Sequence, residues 1–334
     1  MSDKTCLGID IGNSRTKIAV RVRGRIRKVI TADLPEDLIK DGRITSYEAF
    51  GDFLKATLKA EKVTVKDAKI CMLLRDAYVR RATMPMMNIQ QLKVNLPYEF
   101  HDFITEDMDK YVYDYSVLPS EDGDEQLHLL AVAALKSQLE AIMNAGRRAK
   151  LKITQIAPVN VPISQVLRQY EKARGIEQGT KDIAFLGLGN SSVRLHFFTK
   201  GEYEMTRSMD LGVGAAVSRI MEETGQDRHI AHISFVNNTN DIQNAPYLQE
   251  VYGEISAQIL RTLNFYSFNN RNNNLEELVC FGGGSLVEPL MTSLRENLPL
   301  KLICADEVLR EEDRTNPDED ASGLIAIGMT LPHM

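Results

Sequence analysis

The feature that most constrains this chain is that it opens in the same manner twice. Cys6-Leu-Gly-Ile-Asp10-Ile-Gly12-Asn13-Ser14-Arg15-Thr16-Lys17-Ile-Ala-Val reads as an apolar strand, a glycine-centred turn and an alternating strand. Ile183-Ala-Phe-Leu-Gly187-Leu-Gly189-Asn190-Ser191-Ser192-Val193-Arg194-Leu195-His196-Phe197 repeats that order. A turn pair follows each copy, Arg23-Gly24 in the first and Lys200-Gly201 in the second. A repeat at this scale predicts two related lobes, which suits 334 residues at about 150 per domain. A strand-turn-strand opening also argues against a P-loop or Rossmann unit, which runs from strand to helix.

Between and after the repeats the pattern alternates helix and strand. Thr45-x-x-Glu48 reads as a capping box heading a helix over 46–61, and 69–74 reads as a strand. Ile89, Leu92, Leu96, Phe100 and Ile104 mark an amphipathic helix that Pro97 either kinks or restarts. Strands at 111–117 and 126–134 flank the acidic loop 120–125, and a helix follows over 136–149. This helix-strand-strand-helix stretch is expected to be a small inserted subdomain. Further helices are predicted over 213–224 and 247–268. A strand at 278–281 then runs into Gly282-Gly283-Gly284-Ser285 and a helix bearing Leu286, Leu290, Leu294 and Leu298. A charged loop, 306–320, precedes a last small-residue helix.

Composition removes several function classes. The 40 Lys and Arg against 46 Asp and Glu leave a net charge of -6, without the basic surplus of a nucleic-acid binder. Cys6, Cys71, Cys280 and Cys304 form no C-x-x-C pair and lie in or beside apolar runs, so buried free thiols in a reducing compartment are expected. No signal-peptide core or stretch of 18 apolar residues is present, which predicts a cytoplasmic protein reaching a membrane only through a partner. The 6 histidines include no i,i+4 pair for zinc, and Gly-x-Ser-x-Gly is absent.

The glycine segments carry the chemistry. Gly12 in a hairpin turn leaves backbone N–H groups able to meet phosphate oxygens. Asp10, at the end of the preceding strand, either holds a hydrated Mg²⁺ against those phosphates or caps its own turn. Lys17 either meets a phosphate or is simply solvated. The Gly282–Gly284 run, ahead of a helix, tolerates an anion and lets a purine approach the backbone. Arg21, Arg23, Arg25 and Arg27 alternate on one hairpin face, either solvated or meeting an acidic partner or lipid headgroups.

In this order, the segments resemble the actin, Hsp70 and sugar-kinase superfamily. Residues 6–22 are similar to its first phosphate loop, 183–197 to its second, 278–286 to its adenosine motif and Ala326-Ile-Gly328 to its closing connecting helix. Met84-Pro85-Met-Met-Asn-Ile-Gln-Gln-Leu92, Pro97-Tyr98-Glu99-Phe100, Tyr113-Asp114-Tyr115-Ser-Val117 and Leu129-Leu-Ala-Val-Ala133 narrow it further. They resemble the inserted 1C-type subdomain of the PilM family of type IV pilus assembly proteins, relatives of FtsA. The long helix around Glu254 to Tyr266 is similar too, whereas the Asn-rich stretch 237–244 contributes little.

That resemblance implies an α/β fold, a duplicated actin-like (ribonuclease H-like) two-lobe ATPase fold with an inserted small α+β subdomain. It implies first-lobe core at 1–83 and 151–180, the insertion at 84–150, second-lobe core at 181–226 and 277–334, and a second-lobe subdomain at 227–276. ATP with Mg²⁺ is implied in the cleft between lobes, at Asp10, Gly12, Asn13, Ser14, Arg15, Thr16, Lys17, Gly187, Gly189, Asn190, Ser191, Gly282, Gly283, Gly284 and Ser285, with Asp10 reaching the metal through water. The implied partners are the N-terminal tail of a PilN-like inner-membrane protein and other pilus platform proteins. The tail would dock in a groove at Met84, Ile89, Leu92 and Leu96, placing the chain at the inner face of the membrane. Gly187 departs from the superfamily, which carries an acid there; Val213-Gly214 and Ser218 depart as well. These departures imply slow or absent hydrolysis with binding retained. A small-molecule kinase or phosphohydrolase on the same fold is the alternative, and a platform that binds no nucleotide is a third. Pilus, secretion or DNA uptake, and self-association, are left open.

Overall fold

The computed structural model describes residues 5–35, 37–119 and 125–332, so the expected acidic loop lies outside the described residues except for Glu125. The chain forms two compact units, one running to Pro162 and resuming at Ile325, the other spanning Ile163–Leu324.

The first unit begins with strands β1 (Cys6–Ile11), β2 (Arg15–Val22) and β3 (Arg25–Asp33). A short hairpin, β4 (Ile39–Lys40) and β5 (Arg43–Ile44), leads to helix α1 (Tyr47–Ala60) and β6 (Asp67–Cys71). Then come β7 (Ala77–Pro85), α2 (Ile89–Asn95), β8 (Tyr111–Val117), β9 (Gln126–Leu135), α3 (Lys136–Arg148) and β10 (Lys152–Ala157). The main sheet has the order β10-β6-β1-β2-β3, and α1 and α3 bury Ile9, Ile18, Leu54, Ile70 and Ile142 against one face. A separate sheet, β7-β9-β8, packs Leu129 and Ala131 on α2 and Phe100 as a second core.

Helix α4 (Asn160–Arg174) leads into β11 (Ile183–Leu188), β12 (Val193–Thr199) and β13 (Glu202–Met209). Helices α5 (Gly214–Thr224), α6 (Arg228–Val236) and α7 (Pro246–Asn269) follow, then β14 (Glu277–Phe281), α8 (Glu288–Asn297), β15 (Lys301–Cys304), α9 (Ala305–Val308) and α10 (Pro317–Thr330). The order β13-β12-β11-β14-β15 repeats that of the first sheet, with β11 antiparallel to β12 and parallel to β14.

Several expectations change. The insertion starts at β7 rather than at 84, because β7 pairs along its length with β9. It ends before α3, whose Ile142 and Ala145 belong to the core under the first sheet. Residues 227–276 share one core with the second sheet, through Ala231, Phe235, Leu248 and Tyr252, so they make no separate subdomain core. The division between units falls inside α4 and α10, so 163–180 joins the second unit and 325–334 the first. Pro97 restarts the chain as a 3-10 turn, Leu96–Phe100, after α2 ends. Helix α1 is capped by Ser46, whose hydroxyl accepts from Ala49 N–H; Thr45 Oγ1 instead donates to the Asp37 carbonyl. Cys304 is exposed at the end of the edge strand β15, unlike the other three thiols.

Between β6 and β7, at the root of the insertion, Asp76 is 5% exposed and its Oδ1 has no hydrogen-bond partner. Burial pushes its carboxyl up to about 6, opposed by a hydrogen bond to Gln138 and the charge of Arg43. Between the ordinary carboxylate value and that point the folded chain keeps a proton that the unfolded chain has released. Stability therefore falls as pH rises through that window, by about 3 kcal/mol for a shift of roughly two units. Denaturant unfolding between pH 4 and 8 should show this decline in the wild type and lose it in Asp76→Asn. The same decline in both proteins would mean that other groups titrate there.

Candidate functional site

In the first hairpin the Gly12 N–H donates to the Arg15 carbonyl at 3.1 Å, and a Cβ at Gly12 would lie 2.5 Å from that oxygen. Only glycine closes the turn this tightly. Lys17 Nζ sits 3.1 Å from the same Cβ position, so an ammonium hangs over the turn. Asp10 is opposite Lys17 in the antiparallel ladder and beside Cys71 in the parallel one. A carboxylate, a cation and a glycine turn thus converge at one end of β1, a donor set that fits phosphate oxygens and a hydrated cation.

Not every expected residue joins them. Thr16 faces the core at 0% exposure, on the opposite side of β2 from Lys17, so its hydroxyl cannot serve the turn. Arg15 is drawn to Asp33 across the β2–β3 ladder at 2.6 Å. Asn13 and Ser14 form the tip, where the Ser14 carbonyl accepts from Leu34 N–H. Arg21 is 4% exposed, donating to Thr330 Oγ1 at 2.8 Å and to the Gly24 carbonyl, so it leaves the solvated basic face.

The second hairpin closes in the same way, Gly189 N–H to the Ser192 carbonyl at 3.2 Å. The carbonyls of Gly189 and Asn190 accept from Val213 and Gly214, which fastens the turn carrying Asn190 and Ser191 to the start of α5. Gly212 makes this contact feasible, since a Cβ there would lie 2.3 Å from the Asn190 oxygen. Its importance is not evident from the sequence beyond the Gly-Val-Gly spacing before a helix. Gly187 is opposite Arg194 and beside Phe281.

The triple glycine adjoins this hairpin. Gly282 has φ 91°, and a Cβ on Gly284 would meet Val213 Cγ1 at 2.5 Å and Leu188 Cβ at 2.8 Å. Gly283 has nothing within 4 Å of its Cβ position, which leaves room for a ligand at the backbone. Ser285 spends its hydroxyl on the Gly282 carbonyl at 2.7 Å. A 3-10 turn, Gly283–Leu286, follows the glycines, and α8 starts only at Glu288, so no α-helix N-terminus stands at the glycines.

The expected groove is mostly core. Met84, Leu92 and Leu96 are 5%, 3% and 2% exposed, because α2 and the following turn lay that face on the β7-β9-β8 sheet. Ile89 alone of the four is open, at 64%. Among the described residues, no group of three or more His, Cys, Asp or Glu side chains is placed to hold a metal, and no helix is long and apolar enough to cross a membrane.

The family model described as type IV pilus assembly protein PilM matches residues 8–330. Among solved structures, a PilM-PilN type IV pilus biogenesis complex is similar with TM-score 0.76 and 18% identity, covering 98% of each chain. Ethanolamine utilization protein EutJ from Carboxydothermus hydrogenoformans has TM-score 0.58 and 10% identity, over 97% of this chain and 88% of that one. MreB 5 of Spiroplasma citri bound to AMPPNP has TM-score 0.53 and 10% identity, over 98% and 95%. The fold is thus the duplicated actin-like one. No curated protein sequence matches the chain.

The glycines of the triple turn should separate on substitution. Gly284→Ala overpacks Val213 and Leu188 and should cost about 1–3 kcal/mol in denaturant unfolding. Gly283→Ala should stay within about 0.5 kcal/mol of the wild type. Equal losses would contradict the packing at Gly284.

Proposed function

The chain belongs to the type IV pilus assembly protein PilM family, and from that premise we propose an actin-like scaffold that holds ATP and docks the N-terminal tail of a PilN-like inner-membrane protein. The apparatus served is a type IV pilus or a related secretion machine, with the chain at the inner face of the membrane through its partner. The solved PilM-PilN complex supports the partner, and the AMPPNP-bound MreB 5 structure supports a nucleotide ligand.

The observation that carries the nucleotide reading is Lys17 Nζ standing over the Gly12 turn with Asp10 opposite Lys17 in the ladder. Turn N–H groups and Lys17 bind phosphate oxygens, and Asp10 holds a hydrated cation beside them. Mg²⁺, when bound, neutralises phosphate charge. The second hairpin, Gly189 to Ser191, is a glycine turn of the same kind within its own unit, and Gly283 leaves backbone there open to a ligand. Gly187 brings no carboxylate to orient or deprotonate water, which favours holding over turnover.

For the tail, β7 is an edge of the β7-β9-β8 sheet, with the exposed Met86 and Ile89 at its end. An extended peptide adding to that edge gains main-chain hydrogen bonds and sets an apolar side chain against Ile89.

Isothermal titration with Mg-ATP should give micromolar affinity that weakens at least tenfold, about 1.4 kcal/mol, in Asp10→Ala. No heat with nucleotide-free wild type would reject ATP as a ligand. Fluorescence anisotropy with a labelled N-terminal peptide of the cognate PilN-like protein should show saturable binding that Ile89→Asp weakens at least tenfold. Unchanged affinity in that variant would move the docking site elsewhere.

A further inference from the structure

The two hairpins share one register, and one cluster within it differs in chemistry. Asp10 is opposite Lys17 on β2 and beside Cys71 on β6. Gly187 is opposite Arg194 on β12 and beside Phe281 on β14. Two residues further along the second strand, Ala19 in the first unit corresponds to His196 in the second. The first unit therefore has an acid among small neighbours, Asp10 with Cys71 and Ala19. The second has no side chain at the acid's place and two rings around it.

The Phe281 ring fills the vacated volume. A Cβ at position 187 would lie 2.9 Å from Phe281 Cζ and 3.3 and 3.5 Å from two further ring carbons. Real Cβ atoms essentially never approach another heavy atom below 3.0 Å. The ring cannot easily yield, because it is 7% exposed and the His196 ring lies 6.2 Å away, tilted by 29°. His196 is itself 1% exposed and fixed by Nδ1 to Thr206 Oγ1 at 2.8 Å. Burial, and the nearby Arg194 charge, push its imidazole down to about 3, so it stays neutral at ordinary pH and acts as part of the wall. An aromatic edge accepts no useful hydrogen bond from water and ligates no cation.

We propose that Phe281 is the residue that makes the second hairpin a holding surface: its ring occupies the place of a second carboxylate, so a bound nucleoside triphosphate is kept rather than hydrolysed. This rests on the nucleotide reading above. It also goes beyond the loss of an acid at 187, since it predicts that restoring the acid alone restores nothing. An aspartate at 187 meets the ring before it can reach a water. With the ring removed, the same aspartate has room to accept the proton of a water. That water oxygen adds to the γ-phosphorus while the bond to the β-phosphate oxygen breaks, giving ADP and inorganic phosphate.

The test compares wild type, Gly187→Asp, Phe281→Ala and the double variant by three readouts: thermal unfolding without nucleotide, ATP affinity by titration, and phosphate release with Mg-ATP. Gly187→Asp should lower the melting temperature far more in the presence of Phe281 than in the Phe281→Ala background. The double variant should release phosphate at least tenfold faster than Gly187→Asp alone and at least tenfold faster than wild type, with ATP affinity measured for each so that a rate change is not read from lost binding. If Gly187→Asp does not fold, Gly187→Ala gives the same thermal comparison, because the clash is at Cβ. Phosphate release by the double variant then still reads the functional half.

Four results overturn the proposal. Melting shifts that simply add, with ATP bound, would show that Phe281 does not block position 187. Phosphate release by Gly187→Asp alone as fast as by the double variant, or no release by the double variant, would remove Phe281 as the determinant. Absence of ATP binding by wild type would reject the nucleotide reading itself, and is told apart because the thermal coupling would persist.

Discussion

Both main sheets depend on how closely backbone meets backbone at the hairpin turns. The Gly12 and Gly189 Cβ positions would lie 2.5 and 2.7 Å from the carbonyl oxygens of Arg15 and Ser192, so a side chain at either would open the turn. A closed turn sets the register of the second strand. It sends Ile18 and Val20 into the core and leaves Lys17 opposite Asp10. A slip of one residue would bury Lys17 and expose Ile18, so core and site are specified by the same bond.

The same kind of close approach recurs where the end of the chain returns to the first unit. A Cβ at Gly8 would lie 1.9 Å from the Ala326 oxygen, and one at Gly328 would lie 2.6 Å from that of Pro162. Helix α10 can thus rest directly on β1 and on the start of α4. Polar groups then complete the seat: Arg21 donates to Thr330 Oγ1, and Lys69 Nζ to the Leu331 carbonyl at 3.1 Å. A buried guanidinium is tolerable there because Arg21 donates both to Thr330 Oγ1 and to the Gly24 carbonyl.

This explains which parts of the structure were legible in the sequence. The repeated hairpins were, because a period of two flanking a glycine turn is a local signal, and the superfamily resemblance carried the fold. Arg21 was not: alternation places it on the outward face, and only the returning α10, more than three hundred residues away, covers it. Thr16 enters the site only through the resemblance of its loop to a phosphate loop, and alternation sends it to the other side of β2 from Lys17. The boundary at β7 escaped because the partner strand that defines it, β9, comes forty residues later. Met84, Leu92 and Leu96 have the spacing of a docking face and of a core face alike; what decides is the sheet beneath them.

The duplication has diverged in chemistry more than in topology. On the face of the second sheet that carries Gly187, Phe185 and Phe198 meet edge to face at 5.6 Å, Phe198 and Tyr203 at 5.7 Å, and His196 lies beside Phe281. The equivalent strands of the first unit present Gly8, Asp10, Lys17 and Ala19. Small residues there admit α10 close to β1 and keep an acid and a base near the turn, whereas rings here fill their own space. Aromatic packing of this kind stabilises a face without help from a charged ligand. The first unit therefore keeps an acid opposite its cation, Asp10 with Lys17, whereas the second keeps only the cation, Arg194, beside a wall of rings.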